Sequence, residues 1–431
     1  MRQTILKTHI KNTHYYDEAQ AKFVSGDVLV EDGVFTRIGK VSPVEGARVI
    51  DGSAYLLLPS FQNAHTHVAM GLLRGYGSDT NLKTWLNDYI WPAEGKLSDE
   101  DVYWGTSLGL LEMLASGTTA FMEMYDHTEA IMEATSASGM RINICRGSVG
   151  MFDDSHKGIS ESIALYQKWQ GKDDRVRVYF GPHAPNTCPP DYIQEMVKQA
   201  KAYHTGIHIH LAETKEEVAF IQETYQKTPT QYLNDLGVFD LDVPTGVAHG
   251  VYLTDEDREI LVSKGAILLH NPISNMKLAS GWADIIAYQK KGGIVALGTD
   301  GASSNNNLDM LKEMQMGALV HKMMRLDPES MKASEMLALA TSHGAKALGF
   351  ENTGKIALGY QADFILLSRE KPHHYPHHDD LANLLYSAKS TDIDYVFVEG
   401  KCLYQKGEYL TLDKEKILYE AKRVAKKIVC P

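Results

Sequence analysis

Three clusters of imidazole and carboxylate stand out because each closes an apolar run of strand length. His65-Thr66-His67 follows Tyr55-Leu56-Leu57-Leu58-Pro59; His208-Ile209-His210-Leu211-Ala212-Glu213 pairs two histidines with a carboxylate; Leu297-Gly298-Thr299-Asp300 ends the third. Side chains two apart on a strand face the same way, so His65 and His67 can converge on one ion. With His210 and Asp300 they form a set of three imidazoles and one carboxylate. That set suits one divalent ion, Zn2+ first, with Fe2+ or Mn2+ as alternatives. His208 shares the alternation of His210 but lies two residues deeper, and reads as an interior or supporting residue. A divalent ion can lower the pKa of water to ~7, so nearby groups not needed to hold it can move protons. His249, with Asp300, is placed to take a proton, and Glu213 to deliver one. Taken alone, Glu213 is also an ordinary carboxylate at a helix start.

Such residues need rigid elements to aim them. The middle of the chain repeats a Val/Ile/Leu-rich run, a polar turn and an amphipathic stretch, the pattern of βαβ units. Eight strands are predicted, at 56–64, 118–125, 141–147, 176–182, 206–212, 246–251, 266–271 and 293–299, with helices such as 191–203 and 255–264 between them, the latter N-capped by Thr254. No phosphate-binding glycine turn follows the first strand. The expected fold is therefore α/β, a (β/α)8 TIM-like barrel, with an open sheet as the alternative. His65, His67, Arg146, His183, His210, His249, His270 and Asp300 all fall at or just past a predicted strand end, where barrel enzymes build their sites.

The ends read differently. Residues 27–41 predict a hairpin turning at Asp32-Gly33, and from about 358 short strands return before a charged helix at 413–429. Residues 1–57 and 358–431 are thus expected to form one composite β-rich accessory domain beside a catalytic barrel at 58–357. The run His373-His374-Tyr375-Pro376-His377-His378 suits a solvated loop better than a metal site.

The chain has 431 residues, 44% of them hydrophobic, and a formal net charge of −12, which speaks against nucleic acid or an anionic membrane as partner. The first residues lack the apolar core of a signal peptide, and no window reaches the ~18 apolar residues of a membrane span. A cytoplasmic protein with a small-molecule substrate is expected, homo-oligomerisation being left open. Cys145, Cys188, Cys402 and Cys430 form no CxxC pair, so neither a disulfide framework nor a thiolate zinc site is indicated, and the PCxxC zinc-deaminase architecture is excluded.

In order along the chain, VLVEDGVFTRIG, LLLPSFQNAHTH, IHLAET, VAHG, HNPISNMKLASG, LGTDGASSNNNLDM and IALGYQADFILL resemble the amidohydrolase superfamily over nearly its whole length, and within it the mononuclear deaminases. The resemblance implies His65, His67, His210 and Asp300 as metal ligands and Glu213, His249 and Asp300 as proton-transfer groups. The 176–180 strand offers no lysine to bridge two metals, which favours one ion. Both members of the Glu/His pair are present, which favours amine release over dechlorination of a triazine. LLRGYGSDTNLKTWLNDYIWPAEGKL and GPHAPNTC are most similar to the branch acting on 5′-methylthioadenosine and S-adenosylhomocysteine. There Trp85 would pack on the nucleoside, Glu94 would bind the ribose hydroxyls, and Arg146 and His183 would line the pocket with Glu213 and Asp300. Trp85 equally suits helix packing, and Glu94 an exposed helix position. Ser60 replaces a usual glycine. Residues 150–160 lack an arginine to grip a homocysteine carboxylate, Lys157 being their one strong cation, which favours 5′-methylthioadenosine, 5′-deoxyadenosine or adenosine. The implied reaction is hydrolytic deamination of an adenine nucleoside to the inosine analogue and ammonia. Its rivals are deamination of a free base or pterin such as guanine or cytosine, triazine dechlorination, and a non-catalytic assembly role.

Overall fold

The structure, a computed structural model, describes residues 7–429; Cys430 lies outside them. Both chain ends meet in one nine-stranded sheet among the described residues. Five strands come from the N-terminal segment, Lys7–Asp17, Lys22–Glu31, Val34–Gly39, Arg48–Asp51 and Tyr55–Pro59, and four from Phe364–Ser368, Ile393–Val398, Lys401–Gln405 and Glu408–Tyr409. The seam is the antiparallel pair Tyr55–Pro59 with Phe364–Ser368, in register from Phe364 opposite Pro59 to Ser368 opposite Tyr55. The expected hairpin is present: Glu31 faces Val34, and Asp32 and Gly33 both take positive φ, +48° and +84°. That backbone matches the right-handed twist of the flanking strands.

The middle of the chain is α/β with two parallel sheets. One runs in the order Gly181–Pro182, Arg141–Ser148, Thr118–Tyr125, Phe61–Thr66, with Val176–Val178 also on Arg141–Ser148; the other runs His208–Leu211, Gly246–His249, Ile267–His270, Ile294–Leu297. Amphipathic helices such as Pro190–Ala202 and Asp255–Ser263 alternate with these strands, the latter capped by Thr254 and Asp257 in a reciprocal box. The sheets meet at two places. Phe180 bridges Ile207, and the His208 N–H donates to the Phe180 carbonyl at 2.9 Å. At the other join the Asp300 N–H donates to the His65 carbonyl at 2.9 Å, while Asn63 exchanges hydrogen bonds with Thr299 through its side chain. Gly298 permits this approach, because a Cβ there would lie 2.8 Å from the His65 nitrogen.

The first predicted strand, 56–64, is cut in two. Pro59 has no N–H to continue a ladder. Beyond it the Ser60 N–H turns to Asp363 and the Phe61 N–H to Gly117, so Tyr55–Pro59 stays in the terminal sheet and Phe61–Thr66 enters the parallel one. Leu56 and Leu58 pack into the large core and Leu57 into the terminal sheet's own core. Burial on both faces explains why the run is continuously apolar. A buried ion pair also clasps the parts together: Arg141, fully enclosed, donates from Nε to Asp363 at 2.6 Å and from Nη2 to Glu399 at 2.8 Å.

Candidate metal and proton-transfer site

Three strand ends deliver the key side chains on strained backbone. Ala212, His249 and Asp300 have φ of +51°, +74° and +63°. Left-handed conformations cost non-glycine residues ~1–3 kcal/mol and persist where the surroundings over-determine them. Here each turns the chain at the rim where Glu213, His249 and Asp300 project.

The donor atoms of His65, His67 and Asp300 lie within 4.8 Å of one another, as do those of His65, His210 and His249. Asp300 Oδ1 is 3.3 Å from His67 Nε2 and 3.6 Å from His65 Nε2. The far side of each imidazole is anchored. His67 Nδ1 faces the Met124 carbonyl at 2.6 Å, His210 Nδ1 the His183 carbonyl at 2.7 Å, and His65 Nδ1 pairs with His208 Nε2 at 2.8 Å. A carbonyl only accepts, so His67 and His210 carry their protons on Nδ1 and present Nε2 lone pairs inward. His65 Nε2 is buried without a hydrogen-bond partner. These donors fit a divalent cation; two carbonyl-anchored imidazoles are the usual support for one.

Burial sets the electrostatics. It lowers His65 to about 4 and holds His210 and His208 well below the usual range, neighbouring imidazoles adding to the effect. Burial alone would raise Asp300, yet the His65 imidazole 3.6 Å away and the charges of His65, His67 and His249 hold it well below the usual carboxylate range. Glu213 is pushed up, by burial first and then by Asp300. Burial pulls His249 down, but Glu213, then Asp300 and the bond to Asn275, raise it overall. Glu213 and His249 approach to 3.9 Å, so a carboxyl and an imidazole that both hold protons more readily than usual stand beside the ligand cluster.

The cavity above them has a volume of about 620 Å³ and its walls include Trp85, Glu94, Arg146 and His183, the sequence-predicted pocket residues. Trp85 is 5% exposed, with Nε1 buried and unpartnered. Glu94 accepts from the Tyr125 hydroxyl at 2.6 Å and is pushed up to about 7, by burial first and then by Asp126, against the Tyr125 bond. His183 is held to about 4 by burial, so it is neutral at pH 7. His270 is not among the lining residues; its ring meets His321 instead. His373 and His374 both donate from Nε2 to Asp392, at 2.7 and 3.0 Å, and His374 and Asp392 are buried, so this run is less solvated than expected.

Sequence reasoning missed the supports. Ser274 donates to Asp300 Oδ2 at 2.6 Å, Asn275 Oδ1 pairs with His249 Nδ1 at 2.8 Å, Glu217 takes the Ala212 and Glu213 N–H groups, and Glu123 takes the Thr66 hydroxyl and the Val68 N–H. Ser274 and Asn275 sit inside HNPISNMKLASG, so an ordered polar motif marked them without telling their partners. Glu123 and Tyr125 lie in a fully buried strand, TTAFMEMY, where a carboxylate without a cation was the available signal.

Residues 56–403 match the amidohydrolase family. The chain is 46% identical over 409 residues to a 5-methylthioadenosine/S-adenosylhomocysteine deaminase of Pelotomaculum thermopropionicum, covering 94% of each chain. It is 42% identical over 425 residues to a deaminase of the same name from Carboxydothermus hydrogenoformans, covering 97% and 98%. Among solved structures it is similar to a zinc-bound adenosine deaminase from Xanthomonas campestris, with a TM-score of 0.92, 29% identity and 98% coverage of both chains. An atrazine chlorohydrolase from Arthrobacter aurescens complexed with zinc, at 22% identity and a TM-score of 0.89 over 97% and 100% of the two chains, shares the fold.

Proposed function

The chain belongs to the amidohydrolase family, and from that premise we propose that it is a metal-dependent deaminase of adenine nucleosides, 5′-methylthioadenosine and its analogues, releasing ammonia and leaving the inosine analogue. In this reading the two parallel sheets are halves of one (β/α)8 barrel over 58–357, with 1–57 and 358–431 as its accessory domain. His65, His67, His210 and Asp300 hold one ion, zinc by donor type and by the zinc in the adenosine deaminase relative. When bound, the ion supplies Lewis acidity that lowers the pKa of water towards neutrality.

The chain's own groups do the rest. His249, raised by Glu213 and fixed by Asn275, takes a proton from the water that attacks the amino-bearing ring carbon. Asp300, held ionised and oriented by Ser274, shares that proton. Glu213, which burial leaves ready to carry a proton, delivers one to the adjacent ring nitrogen; the proton held by His249 and Asp300 passes to the amine, which leaves as ammonia as the C–N bond breaks, and the second water proton, released as the ring carbonyl forms, returns to Glu213. Trp85 packs on the purine, Glu94 with Tyr125 receives the ribose hydroxyls, and His183 and Arg146 line the remaining wall. The observation that carries this reading is the Glu213–His249 pair, 3.9 Å apart beside three imidazoles and a carboxylate.

Ammonia release from 5′-methylthioadenosine, adenosine, guanine, cytosine and a chlorotriazine tests it. Turnover of the adenine nucleosides alone is expected. Turnover confined to a free base or a triazine would overturn the substrate assignment.

A further inference from the structure

The floor of the cavity is enclosed, but its mouth is charged. Beyond Glu94 and Tyr125 the wall is built from the end of the Arg141–Ser148 strand and the loop leading into helix Lys157–Trp169. The cations there are already engaged. Arg146 donates from Nε to Glu161 at 2.8 Å and from Nη1 to the Gly147 carbonyl, and its Nη2 lies 3.2 Å from Asp126. The Lys157 ammonium lies 3.2 Å from the other Glu161 oxygen. Asp153 is turned to the loop itself, accepting the Lys157 and Gly158 N–H groups and the Tyr192 hydroxyl. Two cations thus stand among three carboxylates, and every guanidinium nitrogen has an acceptor. The apolar part of the same wall is aromatic: Phe152, 71% exposed, meets Trp91 edge-on with centroids 6.1 Å apart.

We propose that Glu161, supported by Asp126, is a positioning residue for substrate choice: by engaging Arg146 and Lys157 it denies the 5′ end of the nucleoside a free cation, so the enzyme selects short, uncharged, apolar 5′ substituents over ones ending in a carboxylate. This rests on the adenine-nucleoside reading. The two substrates named for the relatives, 5′-methylthioadenosine and S-adenosylhomocysteine, share the nucleoside and differ only beyond the 5′ sulfur. A methyl group there needs only the Trp91–Phe152 surface. A carboxylate must either stay unpaired near Asp126 and Asp153, which disfavours it, or displace Glu161 from Arg146, which exchanges one charge-assisted pair for another. The ammonium on the same carbon gains from Asp126 but brings the carboxylate with it.

The test compares kcat/KM for the two nucleosides in the native protein and in Glu161→Gln and Glu161→Asp, alongside their binding to metal-free protein. The native protein is expected to favour the methylthio nucleoside by about tenfold or more, ~1.4 kcal/mol. Glu161→Gln is expected to shrink that ratio about tenfold through a lower KM for S-adenosylhomocysteine, with its kcat unmoved, and Glu161→Asp to restore it. Equal native values, or a ratio untouched by Glu161→Gln, would overturn the proposal. If neither nucleoside were turned over, the deaminase reading would fall, while the paired binding constants would still decide the selectivity.

Discussion

Replacing Glu94 by glutamine removes the carboxylate that the proposed function assigns to the ribose hydroxyls, and its titration gives the effect a shape. In the free protein Glu94 is held at about 7 by burial. A folded pKa above the ordinary carboxylate value means that the neutral acid dominates below about 7. A ligand that needs the carboxylate as acceptor therefore gains affinity as pH rises through 7 and loses it as pH falls. With a pKa of about 7, the ionised fraction goes from about 10% at pH 6 to about 90% at pH 8, so association should strengthen about tenfold, ~1.3 kcal/mol. Hydrogen bonds to a charged acceptor contribute ~1.5–3 kcal/mol each, and glutamine can still accept one neutral bond. Glu94→Gln should then weaken binding at pH 8 by about 2 kcal/mol, roughly thirtyfold, and by much less at pH 6. Calorimetric binding of the product 5′-methylthioinosine at pH 6, 7 and 8 measures this without interference from turnover. Native affinity flat across that range, or the same pH step surviving in Glu94→Gln, would refute the assignment of Glu94 to the ribose.

Glu213→Gln should retain the metal and lose ~10²–10⁴ in kcat; metal analysis beside steady-state rates checks both halves, and full activity would remove Glu213 from proton transfer. His67→Ala deletes one of the proposed ligands while its anchor, the Met124 carbonyl, stays in place, so metal content after desalting should fall well below that of the native protein. Arg141→Met leaves Asp363, fully enclosed, without its partner, and breaking a buried pair in this way costs ~3–5 kcal/mol. Urea unfolding should show that loss, and a change under ~1 kcal/mol would mean that the clasp between the strands and the C-terminal segment is unimportant.

The convergence of His65, His67, His210 and Asp300 was readable because it sits on local geometry: His65 and His67 two apart at a strand end, His210 in the same phase, Asp300 closing an apolar run; that they hold one ion is the proposal. Parallel pairing in the middle of the chain was readable for a similar reason, since apolar runs alternating with amphipathic stretches require crossovers between parallel strands. Partner choice was not. That His65 leans on His208, that Ser274 orients Asp300, and that Tyr125 caps Glu94 depend on contacts between residues tens to more than a hundred positions apart. The break at Pro59–Ser60 was hidden because both sheets bury the strand on both faces, so no change of periodicity marks the crossing. The His373–His374 pair looked solvated from its prolines and acids, yet Asp392, eighteen residues on, supplies the carboxylate that lets His374 be buried.

The most direct test of the central claim is to strip the protein with a chelator and titrate zinc back while following ammonia release from 5′-methylthioadenosine. Activity lost on stripping and regained in proportion to zinc, with a break near one equivalent per chain, is the predicted result. Undiminished ammonia release from protein shown to be metal-free would contradict it.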